Sequence, residues 1–443
     1  MGDFKSKFHV YIIGAGIVGL SGGIFLRRHG FQVTIVEKDI ELQTIGAGIQ
    51  LHPNALRVLQ DLDVYDSLRA KSIVVQAIVL KDYVTGETLH AQDLTGVESQ
   101  YGVPVLTVHR AHVRQILYDK AIEMGVHVHF GCAINARDID LGGGRVDLRG
   151  PDGAPKSISA DLFIGADGAN STMREAIMGS KREVIPHGKV VLRIVIEEEL
   201  LKARDNLWSL VEDPKIVVWL GPESQAVTYS LGGVFNIAIT RPGSLDPVDA
   251  FFGPKPVDLD HFRTELSAEG WDARLCELVS LGKGCQQWML FQPEIDGEQA
   301  PWRDVGGKFC IVGDAAHQTL PYLAQGAAMG LESISVLACL LGSAQSQHEV
   351  KDLLGIFEHV RKVRTAHVIR AGLKNGAMWQ LANGPLKDER DRVLLSETPT
   401  PGFPNLLADP FFQSWLWDFD ASSTAGKARE MFLSSSPVER ELV

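Results

Sequence analysis

Short apolar runs that stop on a glycine or an acid recur along this chain. Phe8-His-Val-Tyr-Ile-Ile ends at Gly14, Gln32-Val-Thr-Ile-Val at Glu37, Asp161-Leu-Phe-Ile at Gly165 and Lys308-Phe-Cys-Ile-Val at Gly313. Their length and lack of alternation predict strands covered on both faces, as in a parallel sheet. Gly14-Ala-Gly16-Ile-Val-Gly19 follows the first run and opens a helix that closes at Gly30. After the second stop comes Gly46-Ala47-Gly48, a loop that enters a helix through Pro53. After the third, Asp167-Gly168 precedes Ser171, placed to cap a helix near Thr172. After the fourth, Asp314 leads through a Pro321 turn into Gln325-Gly326-Ala327-Ala328 and a helix carrying Leu331, Ile334 and Leu337.

Residues 181–285 change period. Apolar and polar positions alternate in Val190–Ile196, Ile216–Leu220, Ala226–Leu231 and Val234–Thr240, which predicts four strands. Gly232-Gly233 joins the last two as a hairpin, so the sheet is mostly antiparallel. Gly142-Gly-Gly-Arg145 reads as another hairpin turn, and Leu353 to Leu381 as a helix with Val360, Val363, His367 and Ile369 on one face.

Strand, Gly-x-Gly-x-x-Gly, helix, second strand and terminal acid together form a dinucleotide-binding βαβ unit. Gly14 permits the tight turn, Gly16 lets backbone approach a pyrophosphate, and Gly19 lets helix and strand pack closely. Glu37, followed by Lys38, ends the second strand where a carboxylate accepts from a ribose hydroxyl. Asp314 is a second strand-end carboxylate, and the backbone N–H groups of Gly326 and Ala327 open a helix, an arrangement suited to a ribityl chain and a phosphate.

Composition narrows the field. The chain has 443 residues, 45% hydrophobic and 22% charged, with a net charge of −12. That supports a large core in two to three domains and argues against a nucleic-acid partner. Five scattered cysteines without Cys-x-x-Cys spacing read as buried, reduced thiols of a cytoplasmic protein. No metal-ligand spacing occurs, His127 and His129 reading as surface or edge residues. Phe411–Trp417 is aromatic but lacks the basic face of an interfacial helix, so it is expected to pack on the body of the protein.

With Gly14–Gly19, Asp167-Gly168 and Gly313–Pro321 in this order, the chain resembles the single-component, group A FAD-dependent aromatic hydroxylases, a salicylate-hydroxylase-like family with many fungal secondary-metabolism members. The resemblance covers almost the whole length, including Trp415-Leu-Trp-Asp-Phe-Asp-Ala421. Ala324 departs from it, since many members carry Gly before Gln-Gly. It implies an α/β fold: a Rossmann-like FAD-binding domain of the glutathione-reductase type (1–75, 105–180, 285–370), interleaved with a β-sheet substrate domain (76–104, 181–284) and followed by a helical segment (371–443). It also implies non-covalent FAD held by Gly14, Gly16, Gly19, Glu37, Lys38, Ala47, Gly48, Arg110, Asp314, Gly326 and Ala327. Arg114, one turn beyond Arg110, is expected at the surface, and His317 is expected to fix its loop.

The chain has no second Gly-x-Gly-x-x-Gly, and the family has none, NADPH or NADH visiting only transiently. The resemblance implies that the reduced flavin reacts with O2 to a C4a-hydroperoxide, which oxygenates an electron-rich ring. The catalytic candidates are Arg193, set among Val and Ile, and Tyr229 on a later strand of the same sheet. In family members an Arg and a Tyr on corresponding strands bind a phenolate, while indole epoxidases use an Arg there, so phenol and indole both stand. So does a structural ion pair for Arg193 and a core position for Tyr229. The alternative activity is an oxidase, reductase or non-oxygenating flavin-binding protein.

Overall fold

The computed structural model describes residues 4–42, 48–151, 153–181, 185–244, 253–293, 300–396 and 398–434. The four abrupt apolar runs become strands of one five-stranded parallel sheet. Its order is Phe309–Ile311, Leu162–Gly165, His9–Ile13, Gln32–Val36 and His127–His129. The register sets Ile13 beside both Val36 and Gly165. All strand ends therefore emerge on one edge, which carries Gly14, Glu37, Asp167 and Asp314. Ligands bind at such carboxyl edges of open α/β sheets. Helix Ile17–Arg28 covers one face against helix Gly326–Gly342. A small antiparallel sheet (Ile139–Asp140, Arg145–Arg149, Pro155–Ser159) lies in the same unit, turning at 142–144 as the glycines predict.

The second unit is larger than the alternating stretches foretell. Its eight strands run in the order Lys255–Val257, Cys285–Phe291, Pro186–Glu197, Val234–Pro242, Ser224–Ser230, Lys215–Gly221, Ala77–Asp82 and Thr88–Asp93. All neighbours are antiparallel except Lys215–Gly221 with Ala77–Asp82. The boundary expected at 284/285 needs correction: Cys285–Phe291 pairs with Pro186–Glu197 and belongs to this sheet. The expected boundary at 370/371 likewise cuts helix Val350–Trp379. One sheet face carries Leu192, Ile194, Val217, Trp219, Ile237 and Ile239, buried with Phe262, Leu266 and Leu275 of two covering helices.

Helix Val350–Trp379 also corrects the predicted face. Val363 is 65% exposed and His367 is exposed, while Arg361, Arg364, Thr365 and Val368 are buried. An apolar tally mistakes this face because the helix packs around a buried carboxylate, Glu332, which selects arginine over valine. The C-terminal helices Pro385–Leu394, Pro410–Trp417 and Ala421–Ser434 follow. Phe412, Leu416 and Trp417 are buried against the protein, whereas Phe411 is 75% exposed. No helix among the described residues is long and apolar enough to cross a membrane.

Candidate active site

The fingerprint loop is shaped by two close approaches. Gly14 adopts φ +105°, and a Cβ there would lie 2.5 Å from the Ala166 carbonyl oxygen. A Cβ on Gly19 would lie 2.0 Å from the Gly14 carbonyl oxygen. Gly16 is different: nothing lies within 4 Å of where its Cβ would be. Packing explains the outer glycines, and the open space at Gly16 is what a closely approaching pyrophosphate requires. Glu37 is buried and accepts from Ala15 N–H (2.7 Å) and Asp39 N–H (3.1 Å). Arg114 pairs with the same carboxylate at 3.4 Å and donates to the Ala15 carbonyl at 2.8 Å. Arg114 is thus a brace of the loop, a correction to its expected surface position. Arg110 is the exposed first residue of helix Arg110–Glu123, and Lys38 is exposed beyond Glu37. Ala47 lies outside the described residues.

Asp167 works as a cap, accepting from Thr172 N–H (2.7 Å), Met173 N–H (3.2 Å) and Ser171 Oγ (2.5 Å). Burial raises its pKa against these hydrogen bonds. Ser171 caps Arg174 N–H at 2.9 Å, and Arg174 reaches the Ala315 carbonyl at 3.3 Å, which ties the central and C-terminal motifs together. Asp314 is exposed at the carboxyl edge, directly after Gly313 with φ +63°. An open Gly16, a buried strand-end carboxylate, an exposed Asp314 and the free N-terminus of helix Gly326–Gly342 together fit an FAD molecule.

That helix N-terminus is fixed by a buried polar chain that sequence reading missed. Gln325 accepts from Asn54 Nδ2 (2.9 Å), and its own amide meets His52 Nδ1 (2.8 Å). Asn54 Nδ2 also donates to Glu332 (2.8 Å). An ionised carboxylate only accepts, so Glu332 dictates the direction of every bond in the chain. Asn54 turns its NH2 toward it, Gln325 turns its oxygen to Asn54, and His52 receives at Nδ1. Arg361 (2.9 Å) and Arg364 (2.8 Å) pair with Glu332. Burial alone would raise the Glu332 pKa, but Arg364 and Arg361 outweigh it and hold the carboxyl below its usual range. Burial lowers His52 to about 4, keeping it neutral. His317 bonds Ser333 at 2.8 Å and is lowered to about 3 by burial and then by Arg361, in line with a loop-fixing role.

The tail joins this chain: Trp417 stacks on His52 (centroids 5.5 Å), and Arg364 lies over Phe419 at 4.0 Å. Arg57 donates to the carbonyls of Trp417 and Phe419. Asn54 and Glu332 were legible only as polar residues at helical positions that face a core.

A cavity of about 300 Å³ lies between the eight-stranded sheet and the loop 319–327. Arg193 and Tyr229 both line it, with Gly48, Gly326 and Ala327. Among the described residues no carboxylate pairs with Arg193. Its guanidinium stands 5.3 Å from the Trp288 ring centroid, and burial lowers its pKa, with the Tyr229 hydroxyl opposing and the Arg110 charge adding to that effect. Tyr229 is raised to about 12 by burial, against the pull of Arg193, so its hydroxyl stays protonated and can donate. Gly48 opens the strand Gly48–Leu51, not a loop as its glycines suggest, and a Cβ there would lie 2.5 Å from the Tyr229 ring, so the strand must begin without a side chain. Ala324, in the same loop, sits in the left-handed region at φ +53°. The usual Gly at this position is thus a matter of backbone conformation as well as of access. Among the described residues no cluster of His, Cys, Asp or Glu suited to a metal occurs.

Comparison with known proteins agrees with this geometry. The family model described as an FAD binding domain matches residues 7–231. The FAD-dependent monooxygenase OpS4 of Beauveria bassiana is 30% identical over 437 residues, which cover 97% of this chain and 99% of that protein. A 3-hydroxybenzoate 6-hydroxylase of Klebsiella oxytoca is 28% identical, covering 84% and 88% respectively. Among solved structures, CtdE in complex with FAD and a substrate superposes with a TM-score of 0.79 at 20% identity, over 96% of this chain and 98% of that one. A salicylate hydroxylase substrate complex gives 0.74 at 20% identity, over 95% and 98%. These two likenesses establish the fold.

Proposed function

The chain belongs to the FAD-binding-domain family of flavoprotein monooxygenases, and from that footing we propose that it uses NADPH or NADH and O2 to hydroxylate a phenolic small molecule. The observation that carries the choice of phenol over indole is Arg193, a half-buried guanidinium at the cavity wall with no carboxylate partner among the described residues. A buried structural arginine is expected to be neutralised in place. Arg193 instead faces a cavity, where a phenolate or carboxylate oxygen supplies the missing charge. The hydroxybenzoate hydroxylase among the relatives supports the same reading.

FAD, when bound, supplies electron transfer from the nicotinamide and activation of O2. Gly14, Gly16, Glu37, Asp314 and the Gly326–Ala327 backbone would hold it. Arg193 holds the anionic oxygen through its planar fork and so fixes the ring's orientation. Tyr229 donates a second hydrogen bond and remains protonated throughout the working range. Val191, Val227 and Ala238 line the same floor and keep water from the reacting ring.

The test is NAD(P)H oxidation by the purified yellow protein under ¹⁸O2 with a panel of phenols and indoles. The reading predicts oxidation stimulated by a phenol, with one labelled oxygen in the product. Oxidation that yields only hydrogen peroxide with every compound would point to an oxidase or reductase on the same fold. Labelled product from indoles alone would move the assignment to epoxidation.

A further inference from the structure

The sheet that floors the cavity carries polar side chains among apolar ones at one end and only apolar ones at the other. Strand register places Asn236 beside Tyr229 and Ile216 beside Ile78, and sets Arg193, Ala238, Val227 and Val218 on one continuous row. The strands Pro186–Glu197 and Val234–Pro242 contribute Arg193, Asn236 and Thr240 to the lining, together with the apolar Val191 and Ala238. The strands Lys215–Gly221 and Ala77–Asp82 contribute only Ile216, Val218 and Ile78. The strand Ser224–Ser230 lies between the two groups and contributes Gln225, Val227 and Tyr229. At roughly 4.8 Å per strand, the four steps from the Arg193 strand to the Ile78 strand span about 19 Å. Leu323, Trp379 and Leu407 complete the apolar side from above the sheet.

A one-ring hydroxybenzoate gripped by Arg193 and Tyr229 leaves the Ile216, Val218 and Ile78 arm without a partner. We propose that the substrate is a phenol whose anionic head meets Arg193 and Tyr229 and whose apolar extension, an alkyl chain or a second ring, fills the arm lined by Ile78, Ile216 and Val218. This rests on the phenol reading above and adds to it the class of substituent. The arm lies among buried side chains that pack beneath the C-terminal helices, so groups entering it leave water completely. Each methylene buried there strengthens binding about fourfold.

The probes are salicylate and its 6-pentyl derivative, titrated into the FAD-loaded full chain and followed by the change in flavin absorbance. The expected result is a Kd for the pentyl compound at least tenfold below that for salicylate. Val218→Phe, which fills the arm, is expected to collapse that ratio toward one. Equal affinities in the unchanged protein would overturn the inference while leaving the phenol reading in place. A ratio that survives both Val218→Phe and Ile216→Phe, in variants that retain FAD, would also overturn it, because the chain would then lie elsewhere. Failure of both probes to bind would instead count against the phenol reading on which it rests.

Discussion

Two arginine sites in this molecule, one at a buried carboxylate and one at the cavity wall, treat the charge in opposite ways. Arg361 and Arg364 share the fully buried Glu332, and Arg364 also lies over Phe419 and reaches the Leu416 carbonyl. Arg193 sits among Val and Ile with an aromatic ring, a tyrosine and no carboxylate among the described residues. The first arrangement holds the tail, the long helix and the N-terminus of helix Gly326–Gly342 together. The second has no carboxylate among the described residues, and its place at the cavity wall is where, on the proposed reading, the substrate's charge comes in. Arginine type alone does not separate support from catalysis; the location of the counter-charge does.

The comparison breaks most severely if the paired site loses its carboxylate. Glu332→Gln leaves two buried guanidiniums uncompensated, and breaking such a pair costs about 3–5 kcal/mol. The expected outcome is little soluble FAD-bound protein, checked by flavin content and thermal midpoint. A variant with wild-type midpoint would show that the arginines are neutralised elsewhere.

Acid attacks the same network through its neutral histidines. Burial lowers His52 to about 4 and His317 to about 3, below the 6.5 of an unfolded histidine. Their contribution is complete above pH 6.5 and falls away as the pH drops toward those values, since the unfolded chain takes up protons first. At pH 5 the loss is about 2 kcal/mol for each. Denaturant unfolding should therefore show clearly lower stability at pH 5 than at 7.5, and a flat profile would contradict the neutral, buried histidines.

Gly48→Ala sharpens the unpaired side. Its methyl would press on the Tyr229 ring and on Leu231 at 2.8 Å, and overpacking of this kind costs about 1–3 kcal/mol. A lower melting temperature with weaker phenol binding is expected, and unchanged binding would separate Tyr229 from the substrate. The smallest effect belongs to Ala324→Gly. Relief of a left-handed alanine, about 1–2 kcal/mol, is offset by glycine's extra freedom, about 0.5–1 kcal/mol. The midpoint should rise slightly or hold, and a large fall would mean that the methyl packs usefully.

The cofactor half was largely legible in the chain because its chemistry is local. A strand, a glycine turn and a helix N-terminus lie within a few residues of each other, so Gly14, Gly19 and Ser171 announce their own geometry. Arg193 and Tyr229 were legible too, as polar exceptions in apolar strands that one register brings to a common face. The buried chain from His52 to Arg364 was not. Its members lie far apart in sequence, and each reads alone as an ordinary helix or turn residue. Arg114 and the inward face of Val350–Trp379 were misread for the same reason: the charges that draw these arginines inward belong to distant segments. The strand Cys285–Phe291 escaped because nothing local tells which sheet it joins.

The central claim is that Arg193 waits for the substrate's negative charge, and product formed per NAD(P)H consumed tests it most directly, in FAD-loaded protein carrying Arg193→Met or Arg193→Lys. The account predicts that Met folds and keeps its flavin, loses most of its product, and diverts electrons to hydrogen peroxide. Lys restores coupling only in part, because a point charge lacks the planar fork. Coupling in Arg193→Met equal to that of the unchanged protein would contradict the claim.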